Sequence, residues 1–267
     1  MPRHARVDVE LVRRGLARSR QQAAELIGAG KVSIDGMPAV KPGTAVAVTA
    51  ALAVAEDVGR SWVSRGAHKL VGALDAFAIT VEGRRCLDAG ASTGGFTEVL
   101  LDRGVREVVA ADVGYGQLAW SLRSDPRVVV VERTNVRDLT MTAIGGPVDL
   151  IVADLSFISL TTVLPALVGC AAPGADIVPM VKPQFEVGKG RVGAGGVVCD
   201  PELRTGAVLT VARRAEHLGW HTLGVTASPL PGPSGNVEYF LWLRARTDQP
   251  LPDVEWAVRH AVAEGPQ

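Results

Sequence analysis

Four charged side chains stand where a charge is hard to keep. Lys182 closes the apolar run in IVPMVKPQFE, Asp154 closes DLIVADLS, Glu238 opens VEYFLWLRAR, and Lys69 sits upstream in SRGAHKL. An unpaired charge at the end of a buried strand is costly, so Lys182 needs a carboxylate partner, and Asp154 and Glu238 are the candidates. In open α/β sheets ligands gather at the carboxyl ends of the strands, where such groups can act on them. Taken singly, each residue has a plainer reading. Asp154 and Lys182 would form a structural ion pair, Lys69 would be a surface lysine on a helix, and Glu238 would cap an exposed edge.

A second constellation is the strand-to-turn segment CLDAGASTGGF, residues 86–96. A Gly-rich turn after a strand usually cradles a nucleotide-like cofactor. A dinucleotide fingerprint needs G-x-G-x-x-G, and here Gly90 is followed only by Gly94 and Gly95. A P-loop needs a lysine after its last glycine, and Phe96 stands there instead. The turn also begins with an acid. Asp88 would repel a pyrophosphate and attract the ammonium of an amino acid. S-adenosylmethionine carries that ammonium and no phosphate, and is the expected cofactor. Asp112, about twenty residues beyond Gly90, closes the second strand and is placed for ribose hydroxyls. Asn135 follows the third strand, at the adenine pocket. The expected cofactor contacts are Asp88, Gly90, Ser92, Gly94, Gly95, Phe96, Asp112, Val113, Asn135 and Asp154, the glycines letting the backbone approach the ligand. A purely structural Gly-rich turn is the plainer reading of the loop alone.

The elements that must position these groups follow from residue 64 onward. Strand-like runs (RRCLDAG, EVVAADV, RVVVVER, VDLIVADLS, ADIVPMVKP, HTLGVTASP and VEYFLWLRAR) alternate with helix-like ones (FTEVLLDRG, YGQLAWSLR, TTVLPALVG and PELRTGAVLTVARRAEHLG). Alternation of this kind predicts a doubly wound, mostly parallel sheet. The last two strands are joined only by LPGPSGN, so they form an antiparallel hairpin at the sheet end. That is the layout of a Rossmann-like methyltransferase with a seven-stranded sheet.

Residues 1–59 read as a separate small α+β module. VDVELVRRGL places Val7, Val9, Leu11, Val12 and Leu16 among arginines, as a short amphipathic helix. Ser19 is a good N-cap for a second helix that stops at Gly28 and Gly30. Asp35-Gly36 between short apolar runs marks a hairpin. Helix, helix and hairpin resemble the S4-type RNA-binding fold. Arg3, Arg6, Arg13, Arg14, Arg18 and Arg20 face only Asp8 and Glu10 in the first twenty residues, which points to a polyanion-binding face. A solvated helix face is the alternative. Residues 60–63 form a connector with Trp62 as an anchor, and 64–267 form the larger domain. Arg65, at the junction, is placed to hold a phosphate.

The order Lys69, Asp154, Lys182, Glu238 resembles the K-D-K-E tetrad of ribose 2′-O-methyltransferases of the FtsJ/RrmJ type. With the S4 module, GRSWV, LDAGASTGGFT, DLSFISL, VKPQFE and SPLPGPSGNVEYFLW, the chain resembles the TlyA family over nearly its full length. The resemblance implies S-adenosylmethionine-dependent 2′-O-methylation of cytidine ribose in 16S and 23S ribosomal RNA. Ribosomal RNA or ribosomal subunits would be the partners, with no obligatory protein partner. Lys182, as a neutral amine, would take the hydroxyl proton. An ordinary lysine has a pKa of about 10.4, so its charge must be destabilised, with Lys69 as a positive neighbour helping. Asp154 would orient the amine, and Glu238 would steady Lys69 or the hydroxyl. The family's old hemolysin label implies a different activity, but no membrane-active segment is visible. An inactive RNA-binding or assembly factor is a third reading, against which the intact tetrad and loop stand.

Composition bounds the rest. The chain has 267 residues, 47% hydrophobic and 21% charged, with zero formal net charge, which suits a globular protein with room for a core. Its cysteines (Cys86, Cys170 and Cys199) show neither disulfide-framework nor zinc spacing, and no metal site is expected. No signal-peptide h-region or long apolar run occurs, so a cytoplasmic protein is expected.

Overall fold

The computed structural model describes residues 4–28, 30–54, 62–247 and 249–266. Arg3 and the expected connector residues 60 and 61 lie outside these. By its internal contacts the chain divides into Met1–Ser61 and Trp62–Gln267.

The N-terminal unit runs β1 (His4–Arg6), α1 (Val7–Arg13), α2 (Arg20–Gly28), β2 (Val32–Ile34), β3 (Met37–Pro38), β4 (Ala45–Ala47) and β5 (Leu52–Val54). Ser19 caps α2 by accepting from the Gln22 amide at 3.1 Å. The β2–β3 hairpin turns through Asp35 and Gly36, both with positive φ (49° and 82°), as a primed turn requires. Helix α1 departs from the amphipathic expectation. It buries Val7 and Leu11, one turn apart, against Ala23, Ile27, Val32 and Val46. Yet Val9 and the following Leu16 are 39% and 36% exposed, while Asp8 and Glu10 are buried. Those two carboxylates stay inside because arginine side chains cover and neutralise each of them.

The larger unit runs α3 (Gly66–Ala76), β6 (Arg85–Ala89), α4 (Gly95–Asp102), β7 (Glu107–Ala111), α5 (Trp120–Arg123), β8 (Val128–Val131), β9 (Val148–Ala153), α6 (Leu160–Cys170), β10 (Ala171–Val181), α7 (Pro183–Glu186), α8 (Pro201–His217), β11 (His221–Ala227), β12 (Tyr239–Arg244) and α9 (Val254–Glu264). Seven strands form one sheet in the order β11-β12-β10-β9-β6-β7-β8. The strands from β8 to β10 are parallel, and β12 is antiparallel to both β10 and β11. Strand residues alternate between two cores. Leu87, Ile151, Ile177 and Leu241 pack against α6, α8 and α9. Cys86, Leu150, Val178 and Phe240 pack against α3, α4 and α5. This is the period-2 pattern of a sheet covered on both faces, each fully buried large side chain contributing about 1.5–3 kcal/mol.

Three details depart from the sequence pattern. YGQLAWSLR predicts a long helix, but only Trp120–Arg123 is helical. Gly116 takes a left-handed φ of 68°, and the Ala119 amide bonds Thr93 O at 3.2 Å, tying this stretch to the Gly-rich loop instead. Helix α6 continues through Pro165, whose missing N–H leaves the Thr161 carbonyl without its helical donor. Arg214 of α8 donates to that oxygen at 3.3 Å. Helix α9 was not foreseen, although Asp253 caps it by accepting from the Trp256 amide at 2.8 Å.

Candidate active site

Parallel strands share their carboxyl ends, and an antiparallel neighbour begins where they finish. Ala89 of β6 pairs with Ala111 of β7 and with Ala153 of β9, while Val181 of β10 pairs with Tyr239 of β12. The next residues outward are therefore Gly90, Asp112, Asp154 and Lys182, with Glu238 entering β12 beside Lys182. All lie on one edge, where the strand order reverses about β6. That is the topological switch point at which doubly wound sheets bind ligands.

The four charged residues form two ion pairs. Lys69 Nζ meets Glu238 Oε2 at 2.5 Å, and both side chains are sealed, at 7% and 2% exposure. Lys182 Nζ forms an ion pair with Asp154 Oδ1 at 2.6 Å without hydrogen-bond alignment, and donates its hydrogen bond to Ser156 Oγ at 2.9 Å. Asp154 keeps 26% of its side chain exposed, so this pair opens outward. The pairs are close neighbours, since a β-carbon on Gly66, one helical turn before Lys69, would lie 3.8 Å from Asp154 Oδ2. Several expectations change here. Lys69 lies in the first turn of α3 and is buried, not a surface lysine. Glu238 does not cap an exposed edge, because β12 is flanked by β10 and β11. Lys69 is also no unpaired positive neighbour for Lys182, because Glu238 neutralises it.

The Gly-rich loop is built by its protein neighbours. A β-carbon on Gly90 (φ 90°) would strike the Asp154 carbonyl, and one on Gly94 (φ 102°) would strike Leu122. The glycines thus permit close packing against the end of β9 and against α5, a different reason from close approach of a ligand. The amides of Gly90 and Ala91 both donate to Ala111 O, Ser92 donates to Asp112 Oδ2, and Gly94 donates to Ala91 O. A phosphate would need such amides free. Gly95 and Phe96 are buried at the start of α4, whereas Val113 is 70% exposed.

Asp88 is fully buried. Its Oδ2 accepts from Thr97 Oγ1 at 2.7 Å, and among the described residues its Oδ1 has no hydrogen-bond donor. Burial raises its pKa to about 7, with the Thr97 hydroxyl opposing the rise and the charge of Asp154 adding to it. A buried carboxylate oxygen without a donor suits a cationic ligand group. Asp112 accepts one backbone N–H on each oxygen, from Ser92 at 2.8 Å and Gly114 at 2.6 Å. Lone pairs remain on both oxygens for hydroxyl donors. Asn135 Oδ1 accepts from the Arg137 amide at 3.1 Å, which caps the short turn after β8.

Sequence reasoning missed the clamp between the two segments that carry Asp154 and Lys182. Ser159 Oγ donates to Glu186 Oε2 at 2.5 Å, and the Leu160 amide donates to Oε1 at 2.7 Å. Burial raises the Glu186 pKa, and the Ser159 hydrogen bond opposes it. The Phe157 and Phe185 rings lie 5.3 Å apart. Phe157 is 91% exposed with a positive φ of 64°, so it is not core. Burial pushes the Cys86 thiol up to about 12, which leaves it inert. Among the arginines, Arg65 is exposed and donates to Pro231 O at 3.1 Å. Arg6 and Arg20 pair with Asp8, Arg13 and Arg14 pair with Glu10, and Arg18 is exposed.

Residues 62–245 match the family described as FtsJ-like methyltransferase, and residues 5–50 match the S4 domain. The 16S/23S rRNA (cytidine-2′-O)-methyltransferase TlyA of Mycobacterium tuberculosis is 77% identical over 268 residues, covering 100% of both chains. Hemolysin A of Brachyspira hyodysenteriae is 36% identical over 235 residues, covering 88% of this chain and 97% of that one. A solved Streptococcus thermophilus structure bearing a hemolysin name superposes with a TM-score of 0.77 at 38% identity, covering 98% of this chain and 95% of that chain.

Proposed function

The chain belongs to the FtsJ-like methyltransferases, in the S4-bearing TlyA family, and from that premise we propose that it methylates the ribose 2′-hydroxyl of cytidine in 16S and 23S ribosomal RNA. S-adenosylmethionine is the donor and the cytoplasm the setting. The observation that carries the reading is the environment of Lys182, whose Nζ lies within reach of two acceptors, Asp154 and Ser156. A neutral amine that donates one hydrogen to Ser156 and turns the other toward Asp154 would keep a lone pair for the hydroxyl proton. The donor, when bound, supplies a methyl group on a positively charged sulfonium. Asp88 would hold its ammonium, Asp112 its ribose hydroxyls and the Asn135 amide its adenine. Lys69 and Glu238 form a sealed pair beneath the site that fixes α3 against the start of β12. Holding the hydroxyl in line with the methyl group supplies much of the remaining acceleration. In the N-terminal unit, exposed arginines contact phosphates and position the RNA without reading its sequence.

The test is transfer of radiolabelled methyl from S-adenosylmethionine to 16S and 23S RNA in subunits purified from cells lacking this protein. Incorporation into both supports the proposal. Leakage from lipid vesicles without incorporation would favour a membrane-active protein, although among the described residues no helix is long and apolar enough to cross a membrane. RNA binding without turnover would favour an assembly factor.

Asp88 gives this reading a pH signature. Its carboxyl is raised from 3.8 to about 7 in the folded chain. The folded chain thus holds a proton there that the unfolded chain has released, and this site's contribution to stability falls as pH rises from about 4 to about 7. Binding an ammonium requires the ionised form and works the other way. Affinity for S-adenosylmethionine is expected to drop about tenfold per pH unit below about 7 and to level off above it, until the ammonium itself titrates near about 8. Calorimetric titrations across this range check it, and Asp88→Asn should bind weakly with no acid limb. A parent affinity independent of pH would show that Asp88 does not grip the ammonium.

A further inference from the structure

In the N-terminal unit, two buried carboxylates each hold two guanidinium groups, and the geometry of the holding differs between the arginines. A guanidinium has two fork-shaped edges, one formed by Nε with one Nη and one formed by the two Nη groups. Arg6 gives its Nε and Nη2 to Asp8, each at 3.0 Å. Arg20 gives the same two atoms to Asp8 Oδ2, at 3.3 and 3.0 Å. Arg13 gives the same edge to Glu10, at 2.8 and 2.6 Å. In all three, the edge formed by the two Nη groups stays available, and the side chains are 54%, 61% and 61% exposed. Arg14 is held otherwise. Its Nε goes to Glu10 at 2.7 Å, while Nη1 and Nη2 go to the Ala50 and Val48 carbonyls at 2.7 and 2.8 Å. Its side chain is only 22% exposed. Among the described residues, no carboxylate pairs with Arg18.

Asp8 and Glu10 are 3% and 1% exposed, so neither competes for an incoming cation or meets an incoming anion. Hydrogen bonds from Arg6 and Arg13 respectively hold their carboxyls at about 2, so both stay ionised. A guanidinium fork fits two oxygens of one phosphate, and fixing its orientation in advance lowers the ordering cost of binding. The match to the S4 family selects RNA over other polyanions.

We propose that Asp8 and Glu10 are positioning residues that preset Arg6, Arg13 and Arg20 as three outward forks for RNA phosphates, while Arg14 is an internal strut that takes no phosphate. This rests on the reading that the unit binds ribosomal RNA. It reverses the usual sign of charge, because two acids on a basic module then favour anion binding.

The test measures affinity of the full-length chain for naked 23S RNA and for purified large subunits, over a range of salt. Arg6→Lys, Arg13→Lys and Arg20→Lys keep the charge but lose the fork. Each is expected to weaken binding about three- to tenfold with an unchanged salt slope, while Arg18→Lys stays within about twofold. Asp8→Asn and Glu10→Gln should also weaken binding, although each adds positive charge. If either neutral variant unfolds the unit, the exposed lysine variants decide alone. Lysine variants that bind like the parent, while the corresponding alanine variants bind weakly, would overturn the presetting and leave RNA binding standing. So would a folded Asp8→Asn or Glu10→Gln variant that binds more tightly. Alanine variants with parental RNA affinity would remove the RNA-binding reading of this face itself. Loss of binding to phosphatidylglycerol vesicles with no loss for RNA would assign the forks to lipid and overturn the proposal.

Discussion

Replacing Lys182 with alanine is expected to lower single-turnover methyl transfer to ribosomal RNA by about 10³-fold, within the range for removal of a general base, and to leave cofactor affinity nearly unchanged. The more informative variant is Lys182→Arg. Arginine would keep the ion pair with Asp154, seen at 2.6 Å for the lysine, and would keep a donor for Ser156. It cannot lose its proton near neutrality. If Lys182 only anchors Asp154 or adds positive charge, arginine should restore much of the rate. If it accepts the hydroxyl proton, arginine should be as poor as alanine. Substantial rescue by arginine would remove the base from the mechanism while leaving the fold and cofactor assignments intact.

The second large effect is on stability. Lys69 and Glu238 are sealed together at 2.5 Å, and removing one leaves the other charged, buried and unpaired. Lys69→Met and Glu238→Leu are each expected to cost about 3–5 kcal/mol, lowering the melting temperature by on the order of 10 °C in a unit of this size. The double variant should recover most of that loss, because two well-packed apolar side chains replace a desolvated ion pair at little net cost. Methyl transfer should not recover with it, since α3 and the start of β12 would then lack the link that sets their spacing beside Asp154 and Lys182. Thermal melts and transfer rates on the three variants separate the two contributions. Single variants that melt with the parent would show that the pair is not closed in solution, and a double variant with full activity would assign it a purely structural role.

The identities of the four charged residues were legible because a lysine or an acid interrupting an apolar strand is conspicuous. Their pairing was legible only in part: Asp154 with Lys182 and Glu238 with Lys69 stood among the readings, beside Glu238 as a partner of Lys182 or of the hydroxyl. Glu238 reaches Lys69 because β12 inserts between β10 and β11, a matter of strand order that no local pattern carries. The alternation of runs gave the layered sheet, while the shortness of α5 depends on a long-range bond from Ala119 to Thr93. The loop glycines were read as serving the ligand, and their nearest constraints proved to be Asp154 and Leu122. In the N-terminal unit, hydrophobic periodicity placed Val9 on the apolar face of α1, and the structure instead exposes Val9 and buries Asp8 and Glu10. Periodicity counts apolar residues. It cannot register that two guanidinium groups around one carboxylate neutralise it and satisfy its oxygens, so that the acid can be buried while the arginines stay in water. The Glu186 clamp was invisible for a similar reason, since it joins two segments that meet only after β9 and β10 pair.

The central claim concerns one oxygen atom, so the most direct measurement identifies the methylated position. Ribosomal RNA labelled by the purified protein with radioactive S-adenosylmethionine would be hydrolysed in alkali, which needs a free 2′-hydroxyl to cut the neighbouring linkage. The account predicts that the label survives in uncut dinucleotides whose first residue is 2′-O-methylcytidine. Label released as mononucleotides, with the methyl group on a base, would contradict it.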